Sequence, residues 1–238
     1  MRTPGADIDL VHGYLLAEGV ITAATDLRQA RYCAGAVVTG PEGLSSNTYN
    51  VIDLDLTEAA RQKLARATRL GVTNSSCGVC GSASIDALRD KLPAAGLAAI
   101  PALLTPALVA TMASELHTGQ RLHARTGGTH AAAIFDAQGR VRAHAEDVGR
   151  HNAVDKAIGA LVRAGQSAPL GGALVVSSRA SYEIVQKAAV AGIPVLIAVS
   201  APSSLAVEAA RQLGMTLLGF ARERGVNVYA DAGRLSDS

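Results

Sequence analysis

The chain has 238 residues, more than one average domain and less than two, which points to one large domain with a smaller companion. Hydrophobic residues make up 49%, charged residues 18%, and 46 positions are Ala with no Trp, so a fibre or a disordered chain is excluded and the core is built from Ala, Val, Leu and Ile. The formal net charge of +2 arises from 18 Arg and 4 Lys scattered along the chain, which gives no footprint for duplex DNA.

The opening Met1-Arg2-Thr3-Pro4-Gly5 has no hydrophobic segment of the signal-peptide kind and predicts a reducing, cytoplasmic setting. Residues 8–20 follow helical spacing through Leu10, Val11, Tyr14, Leu15 and Leu16, with Gly19 as a stop. Residues 33–38 and 48–54 read as strands, and Thr57 caps a helix that runs to residue 70. The pattern then breaks into a polar, glycine-punctuated loop over 71–81. An Ala/Gly/Pro stretch at 93–101 sets a boundary between a small α+β domain, 1–98, which carries the Cys-containing loop, and a larger domain, 99–238.

The larger domain reads as a helix over 106–122, strands 131–135 and 140–145 around a turn at 136–139, and a helix over 150–164. Strand 173–176, helix 182–191, strand 195–199, helix 204–213, strand 216–220 and a last strand near 226–229 follow. Short apolar strands alternating with amphipathic helices imply an α/β fold with a mixed, partly parallel sheet covered on both faces. The longest apolar run, 188–199, is broken by Gly192 and Pro194 and falls short of the ~18 residues that span a bilayer.

Five constellations could carry chemistry. Cys77-Gly78-Val79-Cys80-Gly81 places two thiols among small residues and backbone N–H groups that can stabilise a thiolate. A zinc knuckle, a redox pair, incidental loop thiols and a nucleophilic or sulfur-carrying Cys all fit it locally, though zinc lacks two further ligands at metal spacing. Thr126-Gly127-Gly128-Thr129-His130 reads either as a plain turn or as paired glycines that turn successive N–H groups toward an anion. His144-Ala145-Glu146 matches the first half of a zinc deaminase site, but Ser177-Ser178-Arg179-Ala180-Ser181 stands where the second, thiolate-bearing half belongs. Six charged or imidazole side chains gather over 146–156 at one helix entrance, where Asp147 can cap the helix and Asp155, four residues after His151, can orient its ring. Ser177-Ser178-Arg179 and Ser200-Ala201-Pro202-Ser203-Ser204 occupy consecutive strand-to-helix junctions, where helix N-termini favour anions and hydroxyls suit a phosphate.

Four segments in this order, Ser-Ser-Cys-Gly-Val-Cys-Gly (75–81), Thr-Gly-Gly-Thr-His-Ala-Ala (126–132), Glu-Asp-Val-Gly-Arg-His-Asn-Ala-Val-Asp-Lys (146–156) and Ser-Ala-Pro-Ser-Ser-Leu-Ala-Val (200–207), resemble the FdhD family of formate dehydrogenase accessory proteins. The resemblance covers almost the whole chain and implies a C-terminal domain of the cytidine deaminase-like α/β/α kind. It implies a cytoplasmic sulfurtransferase: a cysteine desulfurase loads a persulfide on Cys77, and the sulfur passes to the molybdenum of the bis-molybdopterin guanine dinucleotide cofactor. That cofactor is the bound substrate, destined for the catalytic subunit of formate dehydrogenase. Cys80 matches the second thiol of the pair. Phe220, Ala221, Arg222, Glu223, Arg224 and Gly225 match the cofactor-binding stretch, with GDP or a related guanine nucleotide as a fragment ligand. Gly127, Gly128, His130, His151, Ser177, Arg179 and Ser200 are further candidates, and no resident metal is expected.

The family suggests a homodimer, with neither nucleic acid nor membrane as partner. Two departures stand out: Ser177-Ser178-Arg179 replaces the usual Ser-Gly-Arg, and members carry some tens of residues before the segment aligned with Thr3-Pro4. The rival from another class is a non-catalytic chaperone that binds the finished cofactor and hands it over.

Overall fold

A computed structural model of the chain describes residues 1–33, 37–39, 45–47, 51–68, 88–89, 91–92, 96–97, 104–222 and 225–236, with backbone alone at 37–39, 45–47 and 66–68. The Cys77 and Cys80 loop and the Glu223-Arg224 pair lie outside the described residues.

Helix α1, Asp7–Ala17, ends before the expected residue 20 because Gly19, at φ +74°, turns the chain back and the Val20 N–H closes on the Leu15 carbonyl at 2.9 Å. Strand β1, Leu27–Tyr32, pairs antiparallel with β4, Ile52–Leu56, while the short β2, Val37–Thr39, and β3, Ser45–Asn47, pair with each other. Strand β1 thus lies wholly ahead of the strand expected over 33–38, of which Val37 and Val38 fall in β2. Of β1 only Leu27 is buried, so no alternation marks it in the sequence. Helix α2, Glu58–Thr68, starts where expected, with the Ala60 N–H donating to Thr57 Oγ1 at 3.4 Å.

From residue 104 the chain builds three layers. Helix α3, Pro106–Gly119, is capped by Thr105, whose Oγ1 accepts the Leu108 N–H at 3.1 Å. The single helix expected over 106–122 is broken at Gln120, and a second short helix, α4, covers Arg121–Thr126. Strands β5, His130–Phe135, and β6, Val141–Asp147, form the expected hairpin, followed by α5, Arg150–Arg163. Then come β7, Ala173–Val176, α6, Tyr182–Val190, β8, Val195–Ala198, α7, Ser204–Gln212, β9, Thr216–Arg222, and β10, Gly225–Ala230.

The six-stranded sheet runs β10-β9-β8-β7-β5-β6. Its middle, β7, β8 and β9, is parallel, and β5, β6 and β10 run antiparallel to their neighbours, the mixed sheet the sequence pattern predicts. Alternation divides its side chains cleanly. Ala133, Phe135, Val175 and Ile197 join Val109, Met112 and Leu116 of α3 in one apolar cluster. Ile134, Leu174, Val176 and Leu196 join α1, α5, α6 and α7 in the other.

Helix α1 is built into this second layer through glycines. A Cβ at Gly13 would lie 1.9 Å from the Asp155 carbonyl oxygen, and one at Gly159 would lie 1.8 Å from that of Asp9, so α1 and α5 touch backbone to backbone. No helix among the described residues is long and apolar enough to cross a membrane.

Candidate functional site

The parallel strands β7, β8 and β9 end at one edge of the sheet, and β5 starts there. That edge is where open α/β sheets collect ligands. A cleft of about 550 Å³ opens on it beneath α3, walled by His117, His123, the Gly127–Gly128 turn, His130, Ser177 and Arg222.

Ser177, the residue after β7, ties two strands together at the cleft floor. Its Oγ accepts the Ala131 N–H at 2.9 Å and its own N–H reaches the Ala131 carbonyl at 3.0 Å, which leaves the hydroxyl proton for the cleft. His123 Nδ1 lies 2.7 Å from the Thr129 carbonyl oxygen. A carbonyl only accepts, so Nδ1 carries the proton and Nε2 is the atom available to a ligand. No sequence pattern marks His117, inside the expected helix 106–122, or His123, just past its end; the break at Gln120 accompanies their meeting at the cleft.

Glu146 causes that break. Its Oε1 accepts the Leu122 N–H at 2.8 Å, and its Oε2 accepts the His123 N–H at 2.7 Å and the Thr129 hydroxyl at 3.0 Å. Burial pushes this carboxyl up, but the two backbone N–H groups and the hydroxyl outweigh it and hold it below the usual carboxylate range. Glu146 therefore acts as a remote cap of α4 rather than as a proton shuttle. His144, its partner in the deaminase pattern, lies under Gly119, where an added Cβ would sit 2.7 Å from Nε2. Among the described residues no group of three His, Cys, Asp or Glu side chains is arranged to hold a metal ion.

Of the two readings of the glycine pair the structure shows the plain turn, and the expectation for Asp155 is corrected. Gly127 sits at φ +64° as the C-cap of α4; its N–H bonds the His123 carbonyl at 2.7 Å, and the Gly128 N–H bonds Thr126 Oγ1 at 3.2 Å. The paired glycines thus spend their N–H groups on the helix end instead of turning them toward an anion. Asp155 does not orient His151 either: both its oxygens take Lys187 Nζ, at 2.8 and 2.9 Å. Burial raises Asp155 to about 6, with Lys187 opposing. The His151 ring turns the other way, with Nε2 at 3.2 Å from Ser181 Oγ and 3.9 Å from Glu183 Oε2. Burial, then the positive field of Arg150, lowers His151 to about 4, so the ring is neutral at pH 7.

The rest of the 146–156 cluster is locked. Asp147 pairs with Lys156 at 2.7 Å and also accepts N–H groups from Gly149, Thr3 and Asn152. His130 sits between cleft and cluster, and burial, Arg150 and His123 together lower its pKa. Arg150, which the sequence reading passed over in favour of His151, stands beside them.

At the end of β9, Phe220 adopts φ +53°, a left-handed conformation that bulky residues rarely take, while its N–H reaches the Ser200 carbonyl at 3.2 Å. The kink shifts the alternation by one: Leu218 and Ala221, three apart instead of two, both face α3. Arg222 is thereby delivered to the cleft wall, and it also borders a second cavity of about 590 Å³ that reaches Gly225 and Val226. Phe220 itself is exposed, as is Arg179, and neither they nor Ser200 wall the first cleft. Ser203 is spent on α7, its Oγ accepting the Ala206 N–H at 3.2 Å.

The sequence matches the FdhD/NarQ family profile over residues 1–236. The chain belongs to the FdhD/NarQ family. It is 49% identical over 241 residues to the sulfur carrier protein FdhD of Streptomyces coelicolor, covering 99% of this chain and 82% of that one. It is 48% identical to the protein of the same name from Nocardia farcinica, over 99% and 81%. The Mycobacterium tuberculosis sulfur carrier protein FdhD is 47% identical over 99% of this chain and 84% of its own. A crystal structure from Desulfotalea psychrophila, assigned as a formate dehydrogenase accessory protein, superposes with a TM-score of 0.66 at 24% identity, over 99% of this chain and 82% of that chain, a likeness of fold.

Within this FdhD/NarQ member the described thiol, Cys33, is a contrast to a reactive cysteine: hydrogen bonding to Asp53 pushes its pKa up. Cys77 and Cys80 remain the candidates on sequence grounds.

Proposed function

We propose that this protein is a cytoplasmic sulfur carrier for formate dehydrogenase, holding sulfur as a persulfide on Cys77 and passing it to the molybdenum of a bis-molybdopterin guanine dinucleotide cofactor bound as substrate. The observation that carries the reading is identity of 47–49% over 99% of the chain to relatives named sulfur carrier protein FdhD. The cleft adds physical support. Its lining holds the cation Arg222 and no carboxylate, and the acids Glu146 and Asp147 are taken up by internal partners. A phosphate-bearing ligand fits that charge.

In this proposal a cysteine desulfurase supplies the sulfur, and Cys80 is a second thiol beside the first. Segment 1–98 carries the two thiols, and a deaminase-like domain, 99–238, binds the cofactor, in a homodimer. Arg222 and Arg224 hold phosphate or guanine groups, and His123 Nε2 and the Ser177 hydroxyl offer one acceptor and one donor to the remainder. A persulfide is more acidic than a thiol and gives its terminal sulfur to a soft acceptor, so a glycine-lined loop near the bound cofactor suffices.

Incubating the purified chain with cysteine and a cysteine desulfurase tests the reading. Mass analysis should find one added sulfur on Cys77, lost on treatment with a thiol reductant and absent from Cys77→Ala. GDP binding without any sulfur on Cys77 would instead support the non-catalytic chaperone.

A further inference from the structure

Among the described residues, six lysines and arginines are buried or half-buried, and five of them are matched. Lys156 pairs with Asp147, Lys187 with Asp155 and Arg2 with Asp7. Arg142 donates to the Leu170 carbonyl and Gln166, and Arg234 to the carbonyls of Leu97 and Gly214. Arg150 is the exception. Its Nε is sealed from solvent with no hydrogen-bond partner, and no carboxylate among the described residues forms an ion pair with it. Sealing one guanidinium N–H from water without a partner is unfavourable, so the position calls for an explanation.

The surroundings supply one. Asp147, three residues before the helix start, is saturated by Lys156 and three N–H groups. Glu183, close enough to feel the charge, accepts from Ser181 and leans on His151 instead. The two imidazoles, His130 and His151, are held neutral in part by the field of Arg150, and the Glu183 carboxylate, which also feels it, lies beyond ion-pair distance. Arg150 opens α5 directly after Gly149, whose position offers no side-chain cap to the first N–H groups. His130 then connects this spot to the cleft, since it lines the cleft and feels Arg150. Between the ends of β9 and β5 lie three strand spacings, roughly 14 Å, so Arg222 and His130 sit at opposite ends of the ligand edge, and Arg150 follows three residues after Asp147, the β6 partner of His130.

We propose that Arg150 is a phosphoryl-binding residue, a second cationic anchor that takes an oxyanion of a ligand lying along the strand ends from Arg222 to His130. This deepens the reading of the cleft as a nucleotide site and rests on it. The ligand class is a nucleoside diphosphate or a larger phosphodiester, with one charged group near each arginine. A guanidinium presents its free Nη groups to such an oxyanion in a fixed fork, which a lysine cannot reproduce.

The test titrates GDP, guanosine and inorganic pyrophosphate into the wild-type chain, Arg150→Gln and Arg150→Lys, with thermal melting to check that each variant is folded. Arg150→Gln should weaken GDP and pyrophosphate by about tenfold to a hundredfold and leave guanosine unchanged. Arg150→Lys, which keeps the charge and loses the fork, should fall between, and it carries the test if the Gln variant does not fold. GDP and pyrophosphate binding unchanged in both variants would overturn the proposal. So would an equal loss of guanosine, because the effect would then not be at the phosphates, or an absence of any pyrophosphate and GDP binding to the wild type. Pyrophosphate binding that depends on Arg150 in a chain that ignores GDP would uphold the anion site and sink the nucleotide reading of the cleft.

Discussion

The two faces of one sheet edge treat their polar residues in opposite ways. Toward α3 the edge is open: Ser177, His123 and Arg222 each keep an atom free for the cleft. Toward α5 and α6 it is closed by two buried ion pairs, Asp147 with Lys156 and Asp155 with Lys187, the latter stacked over Tyr14 at 5.7 Å. A dense run of charges at a helix entrance is therefore mostly internal wiring. Arg150 in that run, and the sparser residues at the ends of β5, β7 and β9, are the ones with polar atoms left unpaired.

The contrast predicts the largest effect on the closed face. Lys187→Met leaves the buried Asp155 carboxyl unpaired and should cost about 3–5 kcal/mol in urea unfolding, much of it recovered by adding Asp155→Leu. Arg222→Ala, on the open face, should change stability by less than about 0.5 kcal/mol. Equal losses in the two variants would break the comparison.

Gly159→Ala comes next. Its Cβ would enter the van der Waals shell of the Asp9 carbonyl, so α1 must shift from α5 at a cost of about 1–3 kcal/mol or more. Hydrogen exchange in α1 should accelerate while β7 and β8 keep their protection.

Acid should act through the imidazoles. His151 is lowered to about 4 in the folded chain, and His130 and His144 are lowered as well, so the unfolded chain binds more protons below its own imidazole range. Stability is then full above about pH 6.5 and falls as pH drops toward 4, His151 alone contributing about 1–2 kcal/mol of loss by pH 5. Asp155, raised to about 6, works against this between about pH 4 and 6, because its folded form holds the proton more tightly. His151→Gln should flatten the acid slope of a pH series of melts; an unchanged slope would mean that the ring is not held neutral.

The smallest effect separates two adjacent glycines. Gly127→Ala forces a side chain into the left-handed region and should cost about 1 kcal/mol, whereas Gly128→Ala, with no such φ and only Thr126 within 4 Å, should stay within about 0.5 kcal/mol. If the order were reversed, the turn would not be the cap described.

The alternation from β5 onward was readable because buried strands such as Ala173–Val176 are continuous apolar runs bounded by glycine and serine. Strand β1 was not, since its Arg-Gln-Ala-Arg run is held by pairing with β4 and buries little. The break between α3 and α4 was hidden for another reason: Glu146, more than twenty residues away, supplies the cap, and no local pattern records a distant carboxylate. The same distance hid the partners at the candidate site. Spacing put Asp155 on the His151 face, yet Lys187 from α6 claims it, and Ser181 takes the ring instead. The family motifs in the sequence pointed to the segment 220–225, but not to Phe220 as the kink that aims Arg222.

The proposed function separates a cleft for the cofactor from the cysteine that would carry the sulfur. The direct measurement is GDP affinity and Cys77 sulfur loading in one variant, Arg222→Ala with Arg224→Ala. GDP binding should weaken by about tenfold or more while loading on Cys77 proceeds as in the wild type. Unchanged GDP affinity, or loss of loading together with binding, would contradict that separation of roles.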